Sequence, residues 1–160
     1  MDLEAKKKAL RMVPYGLYIV GAGAGEETVG FTGSFCTQSS FDPPLVAIGV
    51  KVGSTGYEVI AATRAFSLNV LSRDEQGIAI AKGFFQSQRA AEGMLGGYPF
   101  TPGETGAPIL EDVPAFLECR VVEIVEKGDH HLVLGEVVAA GHRRDARALT
   151  MEFTGWSYAG

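Results

Sequence analysis

The stretch from Phe116 to Ala140, FLECRVVEIVEKGDHHLVLGEVVAA, carries the strongest signal for the fold. Two runs rich in apolar and β-branched residues, Phe116 to Val125 and His131 to Ala140, flank the sequence Lys127-Gly128-Asp129. This pattern predicts two long antiparallel strands joined by a hairpin turn. The chain is therefore expected to be rich in β-structure.

Five further runs of this kind recur along the chain, with turn residues between them. They are Tyr15 to Val20, Val29 to Gln38, Leu45 to Lys51, Phe66 to Leu71 and Ala148 to Phe153. A series of short strands indicates an all-β sandwich or barrel. Because seven strands in an open sheet would leave unpaired edges, closure into an antiparallel barrel is predicted.

A few short helices interrupt this pattern. Thr55 with Glu58, and Ser72 with Glu75, have the capping-box spacing, in which a hydroxyl and a carboxylate satisfy free backbone N–H groups. The predicted helices are Asp2 to Met12, residues 56–64 and residues 73–85.

Two segments lack a repeating pattern. Gln86 to Pro108 is rich in Gly and Pro and is expected to be a long loop, of the length that is usually functional or mobile. The single Trp156 lies in the segment from Thr154 to Tyr158, where it is expected to cover the edge of the domain or a subunit contact.

Composition limits the class of protein. A chain of 160 residues with 46% hydrophobic and 21% charged residues predicts one domain spanning residues 1–160. The net charge of −5 argues against nucleic-acid binding. We expect no membrane association and a cytoplasmic location, because no run is apolar enough to span a bilayer and no signal pattern is present. Cys36 and Cys119 are expected to be reduced thiols.

The glycine-rich run Gly21-Ala22-Gly23-Ala24-Gly25 follows a strand, as in dinucleotide-binding folds. Such folds need a helix directly after the glycines to hold the pyrophosphate. Here Glu26-Glu27-Thr28-Val29 leads into another strand. The run is therefore interpreted as a hairpin turn.

An anion site is indicated where Lys51 ends a strand and a capped helix begins a few residues later. The hydroxyls of Ser54 and Thr55, the Lys51 ammonium and the N–H groups of the helix would converge there. An ordinary helix cap beside a solvated lysine remains the alternative.

The segment Thr32 to Ser40, TGSFCTQSS, is polar although strands flank it. Its small residues would let the backbone approach a planar ligand, and Phe35 or Cys36 could lie against the ligand face. A surface strand and turn is the alternative.

The histidines do not suggest a metal site. His130 and His131 are neighbours, so on a strand they point to opposite faces and cannot chelate one ion together. No metal is expected. His130 either forms hydrogen bonds with backbone groups of the turn or reaches into a cleft.

Taken in order, these segments resemble the flavin reductase-like family with the FMN-binding split barrel. The resemblance spans nearly the whole chain and rests on Pro14 to Tyr18, Phe31 to Pro44, Phe66 to Leu71, Gly106 to Leu110, Leu117 to Cys119 and Gly128 to His130. The opening and the Phe84-Phe85 region look closest to flavoredoxin and to the flavin domain of high-molecular-weight rubredoxin. The implied fold is mainly β, a closed antiparallel Greek-key split β-barrel with a few short helices.

The resemblance also implies a set of site residues. Many relatives have Asn-Ser-Phe where this chain has Ser34-Phe35-Cys36. The resemblance therefore indicates which segment lies along the flavin more clearly than which of its side chains contact the ring. His130 would lie near the nicotinamide or the flavin and is the expected catalytic residue. The expected cofactor-binding residues are Ser34, Phe35, Cys36, Thr37, Gln38 and Ser40 along the flavin, Lys51, Ser54, Thr55 and Lys82 at the phosphate, and Phe84 and Phe85 beside the ring.

The implied activity is that of an FMN-dependent oxidoreductase of the flavin reductase type, which takes hydride from NADH or NADPH onto bound FMN. Electrons would pass to free flavin, iron or a protein acceptor. One alternative is an FMN electron carrier that a partner protein reduces, without NAD(P)H activity. Another is a flavin-binding or structural barrel without redox turnover. A homodimer is expected, because one small barrel encloses a flavin poorly.

Overall fold

A computed structural model of the chain describes residues 1–158. The helices are α1 (Leu3–Arg11), α2 (Thr55–Thr63), α3 (Glu75–Gly83) and α4 (Met151–Thr154), with a 3-10 helix at Gly25–Glu27. The strands are β1 (Tyr18–Ala22), β2 (Val29–Gly33), β3 (Cys36–Ser40), β4 (Leu45–Lys51), β5 (Ala65–Val70), β6 (Gln88–Ala91), β7 (Met94–Leu95), β8 (Tyr98–Pro102), β9 (Pro108–Leu110), β10 (Ala115–Val125) and β11 (His130–His142).

The strands form one antiparallel sheet in the order β3-β4-β11-β10-β5-β1-β2-β6-β7-β8-β9. The predicted hairpin is confirmed: β10 pairs with β11 from Ala115 opposite His142 to Val125 opposite Leu132. Gly128 in its turn has φ +76°, a left-handed conformation that glycine adopts without steric cost. The glycine-rich run, which begins within β1, also leads to an antiparallel partner, β2, as predicted.

Closure of the barrel stays a prediction. The sheet curls into a half-barrel whose edge strands are β3 and β9. No pairing between these two edges is found within residues 1–158. The mainly β architecture with a few short helices is confirmed.

Two strand predictions need correction. The predicted strand Ala148 to Phe153 is wrong: Ala148 and Thr150 make only isolated bridges, and α4 begins at Met151. Thr150 caps this helix by accepting the N–H of Phe153, a local bond that competes with strand pairing. The predicted strand Val29 to Gln38 is two strands, β2 and β3, broken at Ser34 and Phe35.

The predicted long loop from Gln86 to Pro108 is also wrong, because this region contains the short strands β6, β7 and β8 and the start of β9. Each pairs with the next strand along the chain, so the region is a meander. Gly93, Gly96 and Gly97 have positive φ and provide its tight turns. Strands of two to five residues are too short to produce a readable alternation of apolar and polar residues.

The three helices predicted from the sequence are confirmed as α1, α2 and α3, but the caps of α2 and α3 differ from the predicted ones. Ser54, not Thr55, caps α2 by accepting the N–H of Tyr57. Asp74, not Ser72, caps α3 by accepting the N–H of Gly77, and the Ser72 hydroxyl donates to the Asp74 carboxylate. Ser, Thr, Asp and Asn are all good caps, so neighbouring candidates cannot be ranked from sequence alone.

Two apolar clusters form the core. The first lies between the sheet and α2 and includes Ile60, Phe66 and Leu68. The second packs α3 against the other end of the sheet and includes Ile80, Phe84 and Leu149. Phe31 belongs to the edge of the first cluster and Trp156 to the edge of the second, and both line one cavity.

Candidate functional site

A cavity of about 560 Å³ opens where the break between β2 and β3, the end of β4, the start of β11 and the residues after α4 meet. This volume lies within the range of small-molecule pockets, roughly 300–1,000 Å³. Its lining residues are Leu17, Phe31, Thr32, Gly33, Ser34, Phe35, Gly49, Lys51, Ser54, Phe85, Ser87, His130, Met151, Trp156, Ser157 and Tyr158.

A cation and the start of a helix lie together at one end of the cavity. Lys51 ends β4, and its ammonium has no carboxylate within 4.0 Å among the described residues. The Ser54 hydroxyl donates to the Lys51 carbonyl at 2.7 Å and accepts the N–H of Tyr57 at 3.2 Å, which fixes the start of α2 beside the lysine. The remaining first-turn N–H groups of α2 add positive potential at this end.

A cluster of aromatic rings forms a second part of the wall. The ring of Phe35 lies with its centroid 5.4 Å from that of His130 and 5.3 Å from that of Tyr15. Gly49 permits this position, because a Cβ there would lie 3.1 Å from the Cβ of Phe35. The break between β2 and β3 thus places an apolar ring inside the cavity.

His130 is held from both sides. Its Nδ1 forms a hydrogen bond with Asp129 Oδ1 at 2.9 Å, and its Nε2 forms one with the Tyr158 hydroxyl at 3.1 Å. The hydrogen bond to His130 lowers the pKa of the Asp129 carboxyl. His131 points away from the cavity and bonds to the Tyr57 hydroxyl at 2.7 Å, so the two histidines occupy opposite faces as predicted.

The third part of the wall comes from Phe85 and Trp156. Their rings meet edge to face with centroids 5.0 Å apart. Phe85 is 55% exposed, so its ring is available to a ligand. The Lys82 ammonium lies 5.9 Å from the centroid of the Trp156 ring, behind this wall.

The structure brings six of the predicted site residues together around the cavity: Ser34, Phe35, Lys51, Ser54, Phe85 and His130. Thr55 faces a neighbouring surface groove beside Glu58. Lys82 reaches the cavity only through Trp156.

Five predicted residues lie elsewhere. Phe84 is fully buried in the second core cluster, so its ring supports the wall from behind. Cys36 packs against the first cluster, and Thr37, Gln38 and Ser40 follow it along β3. Since β3 is an edge strand that leads away from the cavity, only the residues before it line the wall.

Neither cysteine is a reactive thiolate. Burial raises the pKa of the Cys36 thiol to about 11 and that of Cys119 to about 12. Both therefore stay protonated at neutral pH, as thiols in apolar surroundings do. Among the described residues there is no cluster of His, Cys, Asp and Glu that could hold a metal ion, and no helix long and apolar enough to cross a membrane.

Sequence reasoning missed half of the lining. Leu17, Phe31, Ser87 and Met151 come from four separate segments and reach the cavity only through tertiary packing. The residues 156–158 follow α4 and pass beside the cavity. The one feature of the sequence that could have pointed to this segment is Trp156, an isolated large aromatic residue between Gly155 and Ser157.

These features define what the cavity can bind. A cation and helix N–H groups at one end match a phosphate, and flat aromatic side chains elsewhere match a planar ring system. The arrangement suits an elongated ligand with a planar ring and an anionic end.

Comparisons with known proteins agree with this chemistry. The NADH:riboflavin 5'-phosphate oxidoreductase of Streptomyces pristinaespiralis is 34% identical over 109 residues, which cover 68% of this chain and 60% of that protein. The high molecular weight rubredoxin of Moorella thermoacetica is 31% identical over 134 residues, which cover 83% of this chain and 58% of that protein. The chain spans less than two thirds of the length of the first curated relatives that it matches.

Among solved structures, the NADH:FAD oxidoreductase of Streptomyces globisporus superposes with a TM-score of 0.78 at 27% identity, over 93% of this chain and 88% of that one. The model of the flavin reductase like domain matches residues 10–158. This match includes every residue that lines the cavity. The chain therefore belongs to the flavin reductase like domain family.

Proposed function

We propose that this protein is an FMN-dependent oxidoreductase that accepts hydride from NADH or NADPH and passes electrons to free flavin, iron or a protein. The observation that carries the proposal is one cavity that combines the Lys51 and α2 anion site with flat aromatic walls. Two of the relatives named above are called NADH:riboflavin 5'-phosphate and NADH:FAD oxidoreductases, which supports the same chemistry here.

Each part of the cavity has a role in this proposal. Lys51 and the start of α2 bind the phosphate of FMN, and Phe35 and Phe85 contact its ring system. Bound FMN supplies the two-electron acceptor chemistry. His130 places Nε2, which bonds to the Tyr158 hydroxyl, inside the cavity, and Asp129 fixes the orientation of its ring through Nδ1. Such fixed groups keep a hydride donor at reacting distance and exclude water.

The proposal includes one FMN-binding domain over residues 1–160, a closed Greek-key split barrel and a homodimer. Exposed apolar side chains support the dimer. Val125 and Leu132 are adjacent across β10 and β11 and are 37% and 43% exposed. A second copy of the chain would cover them, as oligomer interfaces cover apolar patches.

The decisive experiment is anaerobic mixing of the FMN-loaded protein with NADH or NADPH. We expect the absorbance of oxidised flavin to bleach with either donor. A flavin that stays oxidised in both mixtures contradicts the reductase.

Similarity to high molecular weight rubredoxin favours the second candidate, an FMN electron carrier, whose flavin would bleach only after a partner reductase is added.

A variant tests the phosphate end. Lys51→Gln should weaken FMN binding by about 10- to 100-fold, because a hydrogen bond to a charged group contributes roughly 1.5–3 kcal/mol. Riboflavin lacks the phosphate, so its affinity should change little. Lys127→Gln, in the exposed β10–β11 turn, is the matched control. Titrations monitored by flavin fluorescence measure each dissociation constant, and an equal loss for FMN and riboflavin contradicts the assignment.

A further inference from the structure

The residues 156–158, called the tail below, line the same cavity as the predicted flavin site. Trp156 contacts Phe85 on one side, and Tyr158 contacts Phe35 and His130 on the other. The tail therefore passes from one aromatic wall to the other. The cavity of about 560 Å³ is present with the tail in this position, so the tail covers the space without filling it.

The two ends of the tail are held differently. Trp156 packs against the second core cluster, and its backbone N–H donates to Thr154 Oγ1 at 3.2 Å. Gly155 before it closes α4 in a left-handed conformation with φ +70°. Trp156 is therefore anchored to the fold.

Among the described residues, the contacts that hold Tyr158 are made by its side chain. Its hydroxyl forms a hydrogen bond with His130 Nε2 at 3.1 Å, and the centroid of its ring lies 5.7 Å from the Phe35 centroid and 5.8 Å from the His130 centroid. The side chain is 60% exposed, and no backbone hydrogen bond between described residues involves Ser157 or Tyr158. Within the described residues, this end therefore has fewer contacts with the fold than Trp156.

His130 lies directly opposite Lys51 in the pairing of β11 with β4. The bond between Tyr158 and His130 therefore closes the tail beside the anion end of the cavity. A ligand that places its phosphate at Lys51 would therefore lie beside this bond.

We propose that the tail is a strap over the flavin site, with the Tyr158–His130 hydrogen bond as its latch, and that it determines how long FMN stays bound. The inference rests on the proposed binding of FMN in this cavity. It goes beyond that proposal because it concerns the rates of FMN entry and exit. A closed strap slows both rates, whereas an ordinary ligand contact slows only exit.

The test uses the whole chain and FMN itself. Stopped-flow mixing with FMN measures the association rate, and dilution of the complex measures the dissociation rate. Trp156 is the only tryptophan in the chain, so its fluorescence emission reports changes at the strap. Flavin fluorescence provides a second signal. The variants are Tyr158→Ala, which removes ring and latch, and Tyr158→Phe, which removes only the latch. Phe153→Ala is the control, since Phe153 is an exposed aromatic in α4 that packs under Arg73 and does not line the cavity.

We expect Tyr158→Phe to raise both rates about two- to tenfold, the range of a single hydrogen bond, and Tyr158→Ala to raise them further. Phe153→Ala should leave both rates unchanged. A change in the dissociation rate alone, or no change in either rate, overturns the strap while leaving flavin binding intact. Absence of FMN binding by the unmodified protein overturns the proposed function together with the strap.

Discussion

Gly56 is the residue at which α2 meets the wall of the cavity. A Cβ at this position would collide with the ring of Phe31, which lines the cavity. The sequence assigns Gly56 only to the start of a helix, where alanine would otherwise be favourable. Its side-chain-free surface is needed because the Phe31 ring lies against it.

Gly56→Ala is expected to lower the free energy of unfolding by about 1–3 kcal/mol, the usual cost of overpacking, and to weaken FMN binding through Phe31. Gly83→Ala is the matched control in α3. A Cβ at Gly83 meets Tyr98 at 3.7 Å, an ordinary contact, so this variant should be neutral or slightly stabilising. Urea denaturation and flavin titration measure the two effects. Equal stability of the two variants contradicts the close approach.

At the level of elements, Asp74 determines where α3 begins. The N–H of Gly77 and the hydroxyl of Ser72 both donate to its carboxylate. Chiefly the Gly77 hydrogen bond lowers the pKa of this carboxyl in the folded protein. The resulting stability is complete above the unfolded pKa of about 3.9 and is lost as the pH falls through the lower folded value.

Asp74→Ala should therefore lower the free energy of unfolding by about 0.5–2 kcal/mol at pH 7. Asp74→Asn retains a cap but cannot ionise, so its deficit relative to the unmodified protein should shrink as the pH falls below about 4. Urea unfolding across a pH series provides the measurement. A deficit for Asp74→Asn that grows on acidification contradicts the sign of the shift.

A buried asparagine connects the β6–β9 meander to the rest of the sheet. Asn69 in β5 is 1% exposed, and its amide donates to the carbonyls of Ile19 and Pro108 at 3.2 Å each. Its Oδ1 accepts the N–H of Leu110 at 2.8 Å. One side chain thus binds backbone groups of both β1 and β9, and it is the acceptor for the buried Leu110 N–H, whereas the Pro108 carbonyl also accepts from the Ser67 hydroxyl.

Asn69→Ala is expected to lower the free energy of unfolding by about 2–4 kcal/mol, because each orphaned buried group costs roughly 1–3 kcal/mol. Gln38→Ala is the control: its exposed amide donates only to the Ser40 carbonyl, so the change should stay within about 0.5 kcal/mol. Both values follow from chemical denaturation. A loss at Asn69 no larger than that at Gln38 would show that the meander does not depend on this residue.

For the whole molecule, the prediction concerns the proposed dimer. Sedimentation of the unmodified protein should give a dimer, and the double variant Val125→Lys with Leu132→Lys should give a monomer, because two buried ammonium groups oppose association. Met94→Lys is the control, since Met94 is 38% exposed but lies on β7, in the meander. A monomeric unmodified protein, or a double variant that remains dimeric, contradicts this surface as the interface.

The predictions from sequence succeeded where a physical signal is local and long. The β10–β11 hairpin, the strand Leu45–Lys51 and the helices after Asp2 and Ser54 all have uninterrupted patterns with clear ends. Prediction was wrong for Ala148 to Phe153, where a single capping hydroxyl at Thr150 changes the outcome. The strands of the meander are too short for periodicity to identify them.

The predictions for the site follow the same rule, in that residues close in sequence were placed correctly more often than residues far apart. That Lys51 and Ser54 lie together at the start of α2 was predictable because they are close in sequence, and their binding of an anion stays a prediction. Phe84 and Phe85 look equivalent in the sequence, yet Phe84 is buried in the core and Phe85 lines the cavity. Which of two adjacent aromatic rings faces a ligand depends on how the helix end is rotated against the sheet.

The sequence by itself determined the antiparallel β architecture, the glycine turns and the position of a cationic, helix-capped end, because each depends on interactions within a few residues. The tertiary structure alone decided that β2 breaks at Ser34 to turn Phe35 inward, that β3 leads away from the cavity, and that Tyr158 reaches His130. These contacts join residues far apart in the chain. Their geometry is set by the curl of the sheet and the packing of two separate core clusters, which no local pattern encodes.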